Sequence, residues 1–227
     1  LYGTKTARDD EGNLLIDPST GFMIQDPENQ VVGDPNPKFM AGLTNTITAY
    51  GFTLSFLIDL KYGGDLYSNT VTTLLGRGVT LDTEDREKTS IIPGVYGDAS
   101  TLEPILDANG QKIQNTTQVT TNDLYFGVGT FAINTYAEWN IYDATTLRLR
   151  EVSLGYTLPE TWIKKSPFSQ INLSVTARNL WFYTPFIPEH TNFDPEVSTY
   201  GATNVLGVEY DAAPSTRRIG FNIKLVF

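Results

Sequence analysis

The 227-residue chain has no cysteine and a single histidine, His190. Disulfides, thiolate metal sites, iron–sulfur clusters and cysteine nucleophiles are therefore excluded. A histidine-rich zinc site is excluded too, and any Ser-His-Asp triad would have to run through His190. Only 19% of residues are charged, and Lys plus Arg (16) fall short of Asp plus Glu (26), a formal net charge of −10. An acidic chain without a basic cluster speaks against nucleic-acid binding, because phosphates need Lys and Arg in a patch. No G-x-S-x-G elbow, P-loop or G-x-G-x-x-G is present. No apolar run approaches the roughly 18 residues of a transmembrane helix. The opening Leu1-Tyr2-Gly3-Thr4 lacks the charged start and apolar core of a secretory leader. It fits a cytoplasmic protein or a mature or internal piece of a longer one.

Aromatics reach 12%, and Thr, Asn, Gly and Tyr are heavily used. That is a β-rich profile. Residues 1–42 read as loop, with turn signals at Asp9-Asp10-Glu11-Gly12-Asn13, Asp17-Pro18, Asp26-Pro27 and Asp34-Pro35-Asn36-Pro37. Residues 43–61 alternate apolar and polar side chains, broken at Tyr50-Gly51, which predicts a hairpin. Residues 62–146 form a long connection, beyond the usual limit of about 12–15 residues for a structureless loop. Short helices are expected within it at 71–75 and 83–89. Residues 147–183 form a second hairpin, 184–215 a Pro-containing loop, and 216–227 a final strand.

Short and long connections thus alternate, and the strands reach about the 9–11 residues that cross a bilayer at a tilt. Tyr50, Tyr62, Tyr156, Trp162, Trp181 and Tyr183 sit near strand ends, where a membrane interface favours amphipathic rings. The alternative is a soluble antiparallel sandwich, for instance a carbohydrate-binding module, in which the apolar strand faces meet in one core. A glycosidase would need two carboxylates about 5–10 Å apart across a cleft, and no recognisable pattern places them. Phe227, ending an alternating strand, favours the membrane.

Several segments resemble the SusC/RagA family of TonB-dependent outer-membrane transporters. They are Gly33-Asp34-Pro35-Asn36-Pro37-Lys38-Phe39, Gly42-Leu43-Thr44-Asn45-Thr46, Gly51-Phe52-Thr53-Leu54-Ser55-Phe56 and Gly63-Gly64-Asp65-Leu66-Tyr67. Leu147-Arg148-Leu149-Arg150-Glu151-Val152-Ser153-Leu154-Gly155-Tyr156-Thr157-Leu158-Pro159, Asn179-Leu180, Phe193-Asp194-Pro195-Glu196 and the ending from Arg218 to Phe227 complete the order. The resemblance implies an all-β fold: about five C-terminal strands of a 22-stranded transmembrane antiparallel barrel with long extracellular loops and a periplasmic C-terminus. It implies a nutrient importer of oligosaccharides or peptides in the Gram-negative outer membrane. A SusD-like surface lipoprotein would serve as lid, and the TonB-ExbB-ExbD complex would act through a plug and TonB box that lie outside this sequence. Ile223, Leu225 and Phe227 resemble the signal read by the barrel-assembly machinery, with Ile219 a departure where a polar residue is usual.

Within the long loops, Tyr96, Tyr125, Phe126, Trp139 and Tyr142 are candidates to stack on a ligand, and Asp65, Asp98 and Asp123 to bond hydroxyls. The competing expectation is that the rings pack the loops together. Arg148, Arg150, Arg217 and Arg218 are candidates for lumen or rim pairing with the many carboxylates, set against the favoured reading of a rim charge held in water. Arg178, on the polar face of its strand, is expected to point into the lumen. His190 reads as a solvated loop residue, and Asp107-Ala108-Asn109-Gly110 as a turn rather than a calcium loop. No catalytic residue, cofactor or metal is expected.

Overall fold

The computed structural model describes residues 1–126, 136–200 and 205–227. Its spine is a five-stranded antiparallel sheet. The strands, in spatial order, are Phe39–Ala49, Phe52–Tyr62, Thr146–Thr157, Gln170–Tyr183 and Arg218–Val226, here the first to fifth wall strands. They run 9 to 14 residues, enough to cross a bilayer when tilted.

The register turns the period-two pattern into continuous rows. Ile47, Leu54, Leu154, Val175 and Phe221 lie side by side across all five strands. The next row is Thr46, Ser55, Ser153, Thr176 and Gly220. One face is therefore mostly apolar, with Asn45 a polar member of the row Asn45, Phe56, Val152, Ala177 and Ile219, and the other is hydroxyl-rich. Thr46 and Ser55 hydrogen-bond at 2.9 Å, and Thr176 donates to Ser153 at 3.3 Å. The apolar face stays open: Ile219 is 67% and Phe221 83% exposed. A soluble sandwich would close this face onto another sheet. An uncovered apolar band of this size belongs against lipid. The first and fifth strands each pair on one side only among the described residues. Such edges call for continuation of the sheet.

The first two strands are joined by Tyr50-Gly51, both at positive φ (50° and 84°). That is the two-residue hairpin geometry whose twist matches the strands. A Cβ on Gly51 would also meet the Thr157 carbonyl at 3.1 Å. Gly51→Val should cost about 1–2 kcal/mol through the left-handed conformation alone. In the full-length protein it should slow barrel assembly, seen as a delayed heat-modifiable gel shift; an unchanged rate would contradict this turn assignment.

The short connections, 50–51 and 158–169, lie at one end of the sheet together with Phe227, whose ring packs 5.0 Å from Phe168. All long connections lie at the other end, the loop end. There the chain is more ordered than its sequence suggests. Tyr2–Thr6 pairs with Gln25–Val31, and Leu15–Ile16 runs parallel to Val95–Asp98. Residues 1–42 are thus not plain loop, and the first wall strand starts at Phe39, not at residue 43. The signals at Asp9, Asp17 and Asp34 are turns between strands, whereas Asp26-Pro27 lies within the strand Gln25–Val31, where the register shifts. Asp9, Asp17, Asp26 and Asp34 each accept the backbone N–H two residues on, at 2.8–3.0 Å.

In the long middle connection, a helix spans Asn69–Gly76, capped by Ser68 Oγ accepting the Val71 N–H. The second expected helix, at 83–89, is absent: a single 3-10 turn, Leu81–Thr83, is followed by the strand Thr89–Ile91. Two small cores hold the layer. One comprises Leu66, Val71, Leu75, Ala144, Ile187 and Phe193, and the other Ala7, Leu15, Ile24 and Val95.

Candidate functional site

The site is built where the polar face of the wall meets this loop layer. A bulge between Leu149 and Glu151 adds one residue to the third wall strand. Arg150 there reaches the Asp59 carboxylate on the neighbouring strand. Arg148 and Arg150 together engage one loop segment. Arg148 clasps Asp194 through both terminal nitrogens, one at 3.0 Å, and Arg150 binds Glu196. Arg148 is only 2% exposed and stacks 5.5 Å from the Phe182 ring. Of the two readings of Arg148 and Arg150, the favoured water-held rim charge is overturned and pairing with carboxylates is what the structure shows. Each guanidinium finds a carboxylate 46 residues away that fastens the 184–217 connection to the wall. Burial raises the Asp194 pKa, but Arg148, Ser215 and the Glu196 N–H outweigh it and hold the carboxyl below its ordinary 3.8.

A second tie is centred on Glu209, fully buried at 0% exposure. The strand Val208–Glu209 runs parallel to Asp65–Ser68, which pairs on its other side with Ile141–Asp143. The Glu209 carboxylate accepts from Ser68 Oγ (2.7 Å), Thr70 N (3.2 Å), Thr70 Oγ1 (2.6 Å) and Ala212 N (2.7 Å). A carboxylate from a distant loop thus sits on the first turn of helix Asn69–Gly76, where the dipole favours negative charge. Nothing in the sequence around Val208-Glu209-Tyr210 marks it.

Between these ties lies a cavity of about 540 Å³. Phe182, Phe193, Asn179, Asn192, Ser215 and Arg217 are among its lining residues. Asn179 and Asn192 both adopt left-handed backbone conformations, φ 52° and 45°.

The residues singled out from sequence are spread over the loop layer and do not converge on this cavity. Tyr142 and Tyr125 pack against the Leu66–Val71–Leu75 core, and burial pushes both phenols up. Phe126 lies under the Arg86 guanidinium at 4.6 Å. Trp139 donates Nε1–H to Thr6 Oγ1 at 2.7 Å. Tyr96 follows Val95 on its strand, its hydroxyl bonded to Thr116 and Thr117, which lowers the phenol to about 8. Asp65 accepts the Asp34 N–H at 2.7 Å. Arg178 lies on the polar face and pairs with Glu151 at 2.8 Å. Ile223 and Leu225 continue the apolar face to Phe227. His190 faces Asp82 at 3.3 Å. Asp107 closes its turn by accepting the Asn109 and Gln111 N–H groups. Among the described residues, no three His, Asp or Glu side chains gather as a metal site.

No protein-family model matches the chain. It is 23% identical over 229 residues to the TonB-dependent receptor P3 of Formosa agariphila, covering 98% of this chain and 20% of that protein. Among solved structures it is similar to the RagAB peptide importer. The match to the open-open state has a TM-score of 0.56 at 18% identity, over 100% of this chain and 22% of that one. The closed-closed state gives 0.55 at 17% identity, over 99% and 22%. The chain thus spans about a fifth of the length of the proteins it matches. Its five-stranded sheet shares the fold of the matching part of that importer. The chain is thus similar in sequence to part of a TonB-dependent receptor and shares its fold with part of the RagAB peptide importer, in keeping with the ordered motifs from Gly33 to Phe227.

Proposed function

We propose that the whole protein imports nutrient oligomers, oligosaccharides or peptides, across the outer membrane, and that this chain supplies part of its wall and of its ligand-facing loop layer. The observation that carries the reading is the two-faced sheet. Its apolar side is open along the full strand length, while its polar side is anchored to ordered loops at one end only. In this reading the loop end is extracellular, and the short turns and Phe227 are periplasmic. Arg178 faces the lumen, and Ile223, Leu225 and Phe227 serve the barrel-assembly machinery. The loop layer meets a SusD-like lipoprotein, and exposed parts of Tyr96, Tyr125, Phe126, Trp139, Tyr142 and Asp65 contact ligand or lid. TonB-ExbB-ExbD supplies the energy through the plug. The peptide-importer neighbours and the receptor relative support this reading.

The test is uptake of fluorescent oligosaccharides and peptides by cells with and without the full-length gene. We expect uptake of at least one probe class to require both the gene and TonB. Uptake that is unchanged without the gene would overturn the reading.

A further inference from the structure

The arginines gathered at the loop end of the last three wall strands are unevenly partnered. Arg148, Arg150 and Arg178 hold the carboxylates of Asp194, Asp59, Glu196 and Glu151. Arg217 and Arg218 pair with no carboxylate among the described residues, although the chain as a whole is at −10. Arg218 lies directly opposite Arg178 on the neighbouring strand, and like charges so placed repel. Its Nε reaches only Thr216 Oγ1, at 3.4 Å. Arg217 lines the cavity of about 540 Å³. Asn179 and Asn192, both in the left-handed conformation that asparagine tolerates, line the same cavity.

We propose that this cavity is a subsite for a carboxylate carried by the imported oligomer, with Arg217 as the group that pairs with it; the inference rests on the importer reading above. A guanidinium fork matches a planar carboxylate. The Asp194 carboxylate also lines the cavity, so a single negative charge is accommodated better than a doubly charged phosphate. Asn192 offers hydrogen bonds to hydroxyl or amide groups, and Ser215, whose hydroxyl already bonds Asp194, offers an acceptor.

The test is phenylglyoxal modification of the full-length protein in outer-membrane vesicles, mapped by peptide mass spectrometry. The probes are trigalacturonate and triglutamate, each set against its uncharged counterpart, the methyl ester and triglutamine. A carboxylate probe should slow modification of Arg217 by about tenfold, the scale of one charge-assisted pair. The neutral counterpart should not, and exposed Arg77 should react equally in all samples. Protection by one acid alone tells whether the carboxylate comes from a glycan or a peptide. If neither acid protects Arg217, or the neutral forms protect equally, the subsite is overturned. Gene-dependent uptake of neutral oligomers with Arg217 unprotected would remove the subsite while leaving the importer standing; loss of gene-dependent uptake would remove the importer reading itself.

Discussion

Asp194→Ala in the full-length protein should release the connection that follows the fourth wall strand from the wall, with a local cost of about 3–5 kcal/mol. That is the usual penalty for leaving one member of a buried ion pair unmatched. The stranded group is Arg148, 2% exposed, whose two terminal nitrogens both lose their acceptor and whose Nε keeps only the more distant Glu196 carboxylate, at 3.4 Å. Hydrogen exchange in this loop should accelerate by orders of magnitude, while the fifth wall strand stays protected. The double variant Arg148→Met with Asp194→Leu should recover most of the loss, because an apolar pair of similar size carries no desolvation penalty. If Asp194→Ala leaves exchange unchanged, the pair does not anchor the loop. The pH dependence has a fixed sign. Asp194 is held below its ordinary 3.8 despite burial, so its contribution is complete above that value and fades as the pH falls through the lower folded pKa. Asp194→Asn should lack this acid step.

The wall could be read from the sequence because a strand needs only a local pattern. Phe52, Leu54, Phe56, Ile58 and Leu60 announce one face without reference to any partner. The register rows that join Ile47 to Phe221 follow once the hairpins are placed, and the bulge at Arg150 and the irregular Asn179-Leu180 opposite it escape the period-two rule. The loop layer was hard to read for the opposite reason. Its strands are two to seven residues long and pair across the chain, as Leu15–Ile16 does with Val95–Asp98, so no window contains both partners. The site residues divide along the same line. A tyrosine such as Tyr142 has the same composition signal whether its ring packs on Val71 or waits for a ligand. Arg148 and Arg150 did carry a signal. Two arginines at i, i+2 on one strand match two carboxylates at i, i+2, Asp194 and Glu196, in a distant segment. Both segments stood among the motifs, and the physical link between them was in their spacing.

Glu209 poses a sharper case, because a conservative change should fail there. Both of its carboxylate oxygens accept a backbone N–H: one from Thr70 at 3.2 Å and one from Ala212 at 2.7 Å. In Glu209→Gln one of these positions becomes an NH₂, and either amide orientation sets a donor against a donor. Rotating the amide exchanges which N–H is orphaned without curing the fault. An unsatisfied buried donor costs about 1–3 kcal/mol, and the lost charge assistance adds to it. Glu209→Ala removes all four contacts and opens a void beside the helix cap, so its cost should be larger, about 3–5 kcal/mol. Because Glu209 joins the 184–217 connection to the helix Asn69–Gly76, both variants should loosen the two segments together. The measurement is limited proteolysis of the full-length protein, with cleavage sites mapped in 69–76 and 205–217. We expect cleavage to appear in both segments at once, in the order wild type, Gln, Ala. Cleavage confined to 205–217 would show that the helix is held by its own Ser68 cap and the Leu66–Val71–Leu75 core, and that Glu209 merely fastens its own loop.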